Sequence, residues 1–142
     1  MGTASGRTAL VIDDDALARR MMGDALVAEG FDVFTASDGT EGMHSLLDLL
    51  LWLDLVVVDL HMPGLDGEQL LRMVREPGGE RDLTIVVMSG FLEPEAHLRL
   101  SAAGADAVLP KAGGPATIAS VAVLALLRRL RSGRRSSSAP SA

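Results

Sequence analysis

Acids, one hydroxyl and one amine stand at the ends of the short apolar runs in this chain. Asp13-Asp14-Asp15 follow Thr8–Ile12, and Asp59 closes the run around Val56-Val57-Val58. Ser89 and Gly90 follow Leu83–Met88, and Lys111, the only lysine, follows Ala107–Leu109. Carboxylates crowded at one sheet edge repel one another, and the natural remedy is a hard divalent cation with oxygen ligands. Mg²⁺ suits one or two carboxylates plus retained waters and a phosphate oxygen. A carboxylate beside such a cation can attack phosphorus and become an acyl phosphate. The cation and the lysine ammonium would offset the charge of the transferring group. The Ser89 hydroxyl is placed to hydrogen-bond a phosphoryl oxygen, and Gly90 leaves room for its approach.

This chemistry needs an architecture that brings the run ends together. Strand patterns at Thr8–Ile12, Phe31–Ala36, Leu55–Leu60, Leu83–Met88 and Ala107–Leu109 alternate with helical ones. The helices are expected over Ala16–Glu29, Gly39–Leu50, Asp66–Arg75, Glu93–Ala103 and Pro115–Arg131, with Glu76-Pro77-Gly78-Gly79 ending the third. Five β-then-α units predict an α/β fold: a five-stranded parallel sheet, doubly wound, with helices on both faces. Strands apolar throughout, rather than alternating, are what burial on both faces demands. In such sheets ligands bind at the carboxyl ends of the strands, where the acids, Ser89 and Lys111 fall. Asp15, the Ser37-Asp38 pair and Asp66 read as helix caps, and Pro94 suits a first helical turn.

Composition narrows the alternatives. The 142 residues are 48% hydrophobic and 23% charged, which fits one globular domain, and aromatics are only 3%, so Leu, Val, Ile, Met and Ala must build the core. With no cysteine there is neither a disulfide framework nor a thiolate site, in keeping with a cytoplasmic chain. His44, His61 and His97 lack zinc-site spacing. The net charge is −6, yet Arg128, Arg129, Arg131, Arg134 and Arg135 cluster near the end, leaving 8 basic against 19 acidic residues over 1–127. So acidic a body argues against nucleic-acid binding. No secretory signal opens the chain, and Asp48, Asp54 and Asp59 interrupt its most apolar stretch, so no membrane span is expected.

These segments together resemble the receiver domain of two-component response regulators. The resemblance rests on Leu10-Val11-Ile12-Asp13-Asp14-Asp15, on Val57-Val58-Asp59-Leu60-His61-Met62-Pro63-Gly64-Leu65-Asp66-Gly67, on Val87-Met88-Ser89-Gly90 and on Gly104-Ala105-Asp106-Ala107-Val108-Leu109-Pro110-Lys111. The spacings of 30 residues from Asp59 to Ser89 and 22 from Ser89 to Lys111 also suit it. It implies the flavodoxin-like strand order 2-1-3-4-5. It further implies that Asp59 is the phosphoacceptor and that Asp13 and Asp14 hold Mg²⁺ with Asp59 and the His61 main-chain carbonyl. Ser89 would be the switch hydroxyl and Lys111 the phosphoryl partner. The phosphodonor would be a phosphohistidine on a histidine kinase or a histidine phosphotransfer protein.

Two positions depart from the family pattern. Val108 stands where a Tyr or Phe is usual, so no ring is available there to follow the switch hydroxyl inward. Ala112 follows the lysine where proline is usual, and a cis bond at Lys111–Ala112 would cost about 3 kcal/mol, so a trans loop is expected. The expected function is a phosphoacceptor receiver that modifies only itself. The alternative is a receiver-like interaction module whose switch has decayed. A Mg²⁺ phosphatase with an aspartate nucleophile is disfavoured, because Asp59-Leu60-His61 lacks a second acid. The expected organisation is a short extension over 1–7, a receiver over 8–131 and a disordered polar tail over 132–142, with no output domain. The last helix is apolar on more than one side, which offers a homodimer or partner contact. Its arginines suit a helix C-terminus.

Overall fold

The structure, a computed structural model, describes residues 6–76 and 82–138. Five strands, β1 (Thr8–Ile12), β2 (Asp32–Ala36), β3 (Leu53–Asp59), β4 (Thr84–Ser89) and β5 (Ala107–Pro110), alternate with α1 (Ala16–Ala28), α2 (Gly39–Asp48), α3 (Gly67–Arg75), α4 (Pro94–Ala102) and α5 (Pro115–Ser138). The strands are all parallel, in the order β2-β1-β3-β4-β5. The doubly wound order that the family resemblance implies is therefore the one observed.

Alternation along the strands divides the core in two. Leu10, Ile12, Val56, Val58, Ile85, Val87 and Val108 pack with residues of α2, α3 and α4. Ala9, Val11, Leu55, Val57, Val86 and Met88 pack with α1 and α5 through Met22, Leu26, Ile118, Ala122 and Leu126. Each central strand buries both sets of side chains, which is why Val56-Val57-Val58 shows no polar alternation. The same period of two fixes the site: Asp59 points to the side of Val57, whereas Ser89 points to the side of Val87.

The caps form as expected. The Asp15 carboxylate accepts from Leu17 and Ala18 N–H, and Asp38 accepts from Glu41 N–H. Asp66 and Gln69 close a reciprocal capping box on α3, which ends at Arg75 with Glu76 as its C-cap, while 77–79 lie outside the described residues. Pro94 opens α4. At Gly67 a Cβ would collide with the Asp59 carbonyl oxygen and sit 2.9 Å from Leu60 Cα. Glycine there lets α3 start directly under the end of β3.

The last helix differs from expectation. It runs to Ser138 rather than Arg131, so Arg128, Arg129 and Arg131 lie within it and not at its end. Arg129 is held by the Asp106 carboxylate at 3.1 Å and Leu130 packs on the α1–α5 cluster. Once anchored so far along, a helix extends at little cost per residue. Of the expected extension and tail, 1–5 and 139–142 lie outside the described residues.

Candidate functional site

The carboxyl ends of β1, β3 and β5 bring four side chains together. Asp13 directly follows β1 and is fully buried, and Asp59 at the end of β3 is 5% exposed. The Lys111 ammonium, in the single 3-10 turn after β5, donates to Asp13 Oδ2 at 2.8 Å and to Asp59 Oδ2 at 3.1 Å. Asp14 is exposed at the rim, and carboxylate oxygens of Asp13, Asp14 and Asp59 all lie within 4.8 Å of one another. These are the acids that the sequence places at the strand ends.

Main-chain donors set the orientation of the acids. Asp15 N–H donates to Asp13 Oδ1 at 2.9 Å, and His61 N–H to Asp59 Oδ1 at 3.3 Å. The Arg19 guanidinium, in the first turn of α1, donates to the Asp13 carbonyl at 2.9 Å, a contact the sequence reading did not single out. Its sole trace in sequence is a basic residue six positions after an acid. The His61 side chain is exposed beside Met62, Pro63 and Asp66, as expected.

The charges do not balance. Burial raises the Asp59 carboxyl above the ordinary aspartate range, with the Asp13 charge adding to the effect and Lys111 opposing it. Burial acts to lower the Lys111 ammonium, but its hydrogen bonds to Asp13 and Asp59 outweigh that and hold it above the usual lysine value. One ammonium thus serves two buried carboxylates, with a third at the rim. An excess of hard oxygen donors over cations, within reach of one centre, is the chemistry of a Mg²⁺ site. The residues present fit that ion.

Ser89 is placed differently. It is fully buried at the end of β4, next to the end of β3, where Leu60 N–H donates to the Met88 carbonyl at 2.8 Å. Its hydroxyl donates to the Phe91 carbonyl at 2.6 Å and accepts from Phe91 N–H at 3.2 Å. The structure therefore unites Asp13, Asp14, Asp59 and Lys111, and turns the Ser89 hydroxyl toward its own loop. Val108 is buried among Val87, Ala96 and Leu100. No cis peptide occurs among the described residues, so Lys111–Ala112 is trans.

Beside the acids an open cavity of about 200 Å³ lies between α1 and α5. Ala18, Met21, Met22, Pro115 and Ile118 line it together with Asp13 and Lys111. An apolar side chain could rest there while its neighbour meets the acids.

Comparison with known proteins agrees with this geometry. The profile of the response regulator receiver domain matches residues 9–122. The gliding motility regulatory protein of Myxococcus xanthus is 33% identical over 102 residues, covering 72% of this chain and 13% of that protein. The phosphate regulon transcriptional regulatory protein PhoB of Klebsiella pneumoniae is 28% identical over 124 residues, covering 87% of this chain and 53% of PhoB. The chain thus spans about half of PhoB and a far smaller share of the gliding motility protein. Among solved structures, the receiver domain of the putative response regulator NarL from Mycobacterium tuberculosis superposes with a TM-score of 0.75 at 26% identity, covering 86% of this chain and 97% of that one. A CheY-like receiver domain protein from Methanospirillum hungatei gives a TM-score of 0.78 over 90% of this chain and 99% of that one; at 23% identity this shows the fold alone. With the acids, the lysine and the strand order all in place, the chain belongs to the response regulator receiver domain family, a family of signalling domains in two-component systems.

Proposed function

We propose that this chain is a Mg²⁺-dependent phosphoacceptor, with Asp59 as the residue that carries the phosphoryl group. One observation carries the reading: Asp13, Asp14 and Asp59 converge within 4.8 Å, while the only lysine bridges Asp13 and Asp59. The phosphodonor is a phosphohistidine on a histidine kinase or phosphotransfer protein. A carboxylate oxygen of Asp59 forms the new P–O bond as the P–N bond breaks, and the imidazole nitrogen keeps the electron pair of that bond. Asp13, Asp14, Asp59 and the His61 main-chain carbonyl would hold the ion. When bound, Mg²⁺ supplies positive charge against the transferring phosphoryl oxygens.

The rest falls to the chain's own residues. Lys111 pairs with a phosphoryl oxygen once the Asp59 carboxylate has become an acyl phosphate, and it stays tied to Asp13. The Asp15 and His61 amides keep the two carboxylates from rotating away. Ser89 stands one residue past the Asp59 partner on β4, near enough to take a further phosphoryl oxygen after a local rearrangement. The chain modifies only itself, and hydrolysis of the acyl phosphate resets it. The signal leaves through an altered surface or by onward transfer, at a cytoplasmic site of action. Leu124 and Leu127, exposed on α5, offer the contact for a second copy or a partner.

The test is intact mass after incubation with acetyl phosphate and Mg²⁺. A single phosphoryl adduct is expected in the wild type, with none in Asp59→Asn and none in the presence of a chelator. Equal behaviour of wild type and Asp59→Asn sinks the assignment. Burial of Val108 in the core favours a second reading, an interaction module with a decayed switch. That module would bind its partner equally with and without beryllofluoride, a mimic of the phosphoryl group.

A further inference from the structure

We infer that this chain associates with itself head to tail, the outer stripe of α5 on one copy seating on the corner between α2 and β3 of the next. Neither surface includes the acids, so the contact does not depend on phosphorylation of Asp59.

The corner is apolar where the chain turns into β3. Leu51 is 87% exposed, Trp52 70%, and Leu47 in the last turn of α2 58%. The turn that presents them is fixed. Trp52 N–H and Leu53 N–H both donate to the Leu49 carbonyl, at 2.8 and 2.9 Å, while Leu49 and Leu50 pack inward on the cluster that holds α2, α3 and α4. A tryptophan and two leucines turned outward at one corner form a patch of the kind that partners cover. Asp48 stands exposed between the two leucines in sequence.

The outer face of α5 carries the complement. Leu124 is 61% exposed and Leu127 42%, and the exposed Arg128 and Arg131 follow at helical spacing, so one stripe holds all four. Arg129 is taken by Asp106, but Arg128, Arg131 and Asp48 enter no ion pair among the described residues. One surface thus offers leucines beside unpaired guanidinium groups, and the other offers leucines and a tryptophan beside an unpaired carboxylate. Complementary charge of this kind selects the partner and the register. With a net charge of −6, two copies repel unless the arginine-rich end of one meets the acidic body of the other. A symmetric contact of α5 with α5 would gather the guanidinium groups with no acid to receive them, since α5 contains none.

The two surfaces lie on opposite sides of the molecule. Through Leu46, α2 packs on one face of the sheet, and through Leu126, α5 packs on the other. A copy cannot cover its own corner, and a partner seated on one face cannot also reach the other. The contact is therefore heterologous, and association continues past two copies. Patches this small belong to the weak, transient class of contact.

Trp52 is the only tryptophan, so its emission reads this corner alone. Raising full-length protein from about 10 μM to about 1 mM should move that emission to the blue, while sedimentation shows mass growing past the dimer. Leu124→Glu should abolish both effects. Arg128→Glu combined with Arg131→Glu should weaken them about tenfold, and adding Asp48→Arg to that pair should restore them. Unchanged cooperative thermal unfolding shows that these surface variants are folded. Mixing two chains isolates the contact. The Trp52 emission of the Leu124→Glu chain should move to the blue when a Trp52→Phe chain, with α5 intact, is added in excess. It should stay in place when the added chain carries both Leu124→Glu and Trp52→Phe. A static emission in the first mixture, or assembly that stops at a dimer with Trp52 still exposed, overturns the inference. So does a blue shift produced by vesicles of anionic lipid and not by protein, which would assign the corner to a membrane surface. None of these outcomes touches the phosphoacceptor reading, which intact mass tests separately.

Discussion

Asp59 sits at the centre of a conflict that the folded chain tolerates. Its carboxylate is almost wholly buried, faces Asp13 and shares one ammonium with it. Burial and the neighbouring charge both work against its ionised form. Replacing it by the near-isosteric Asn removes the charge and leaves the Lys111–Asp13 bond in place. Asp59→Asn should therefore raise stability at neutral pH in chelator by on the order of 1 kcal/mol, measured by urea unfolding. Added Mg²⁺ should reverse the ranking, because an ion that binds the folded wild type stabilises it by mass action, by roughly 2.7 kcal/mol at a hundredfold excess over its dissociation constant. A wild type that is the more stable form in chelator would show that Lys111 alone balances the site.

At the scale of elements, α4 is held to α3 by one carboxylate. Glu68 accepts from Arg99 on α4 at 3.0 Å and from Arg72 on its own helix at 3.0 Å. The Arg99 hydrogen bond is the chief cause that holds Glu68 below the ordinary glutamate value of 4.5, with Arg72 adding to it. A carboxylate lowered in the folded state contributes stability above its unfolded value and loses it as pH falls through its folded value. The contribution is therefore complete above about pH 4.5 and fades below it. Glu68→Gln should lower stability by up to about 1 kcal/mol at pH 7 and by less at pH 3, and 1 M salt should shrink the difference. Thermal unfolding across pH reads this directly. A difference independent of both pH and salt would mean that Glu68 acts through packing rather than charge.

Across the whole molecule, the end of the sheet opposite the acids is closed by Asp106. Its Oδ2 accepts from Arg75 at 2.9 Å and from Ile85 N–H at 2.8 Å, and its Oδ1 accepts from Arg129 at 3.1 Å. Arg75 further donates to the Leu83 carbonyl at 2.6 Å and the Gly104 carbonyl at 3.1 Å. One aspartate thus joins α3, β4, the approach to β5 and α5. Asp106→Ala removes the carboxylate that Arg75, Arg129 and the buried Ile85 N–H share, and should lower stability by about 3 kcal/mol. Hydrogen exchange in α5 should speed up, most of all beyond Leu126, where Arg129 is a principal tie to the sheet. Unchanged α5 exchange would mean that the apolar seat of Ile118, Ala122 and Leu126 suffices.

The sequence by itself determined the class of fold and the identity of the acids. Both follow from local rules: strands buried on two faces must be apolar throughout, and an acid after such a run has no structural excuse for being there. Asp13, Asp14, Asp59 and Lys111 were legible for that reason, as were the caps at Asp15, Asp38 and Asp66. Only the tertiary structure decided that one ammonium bridges two carboxylates, because Lys111 lies 98 residues from Asp13 in the chain. It also decided that the Ser89 hydroxyl faces Phe91, since a hydroxyl takes whichever acceptor the folded loop brings nearest. The length of α5 was illegible for a similar reason. A polar run of Arg and Ser has no periodicity to mark its end, so the sequence carries no signal for where the helix stops.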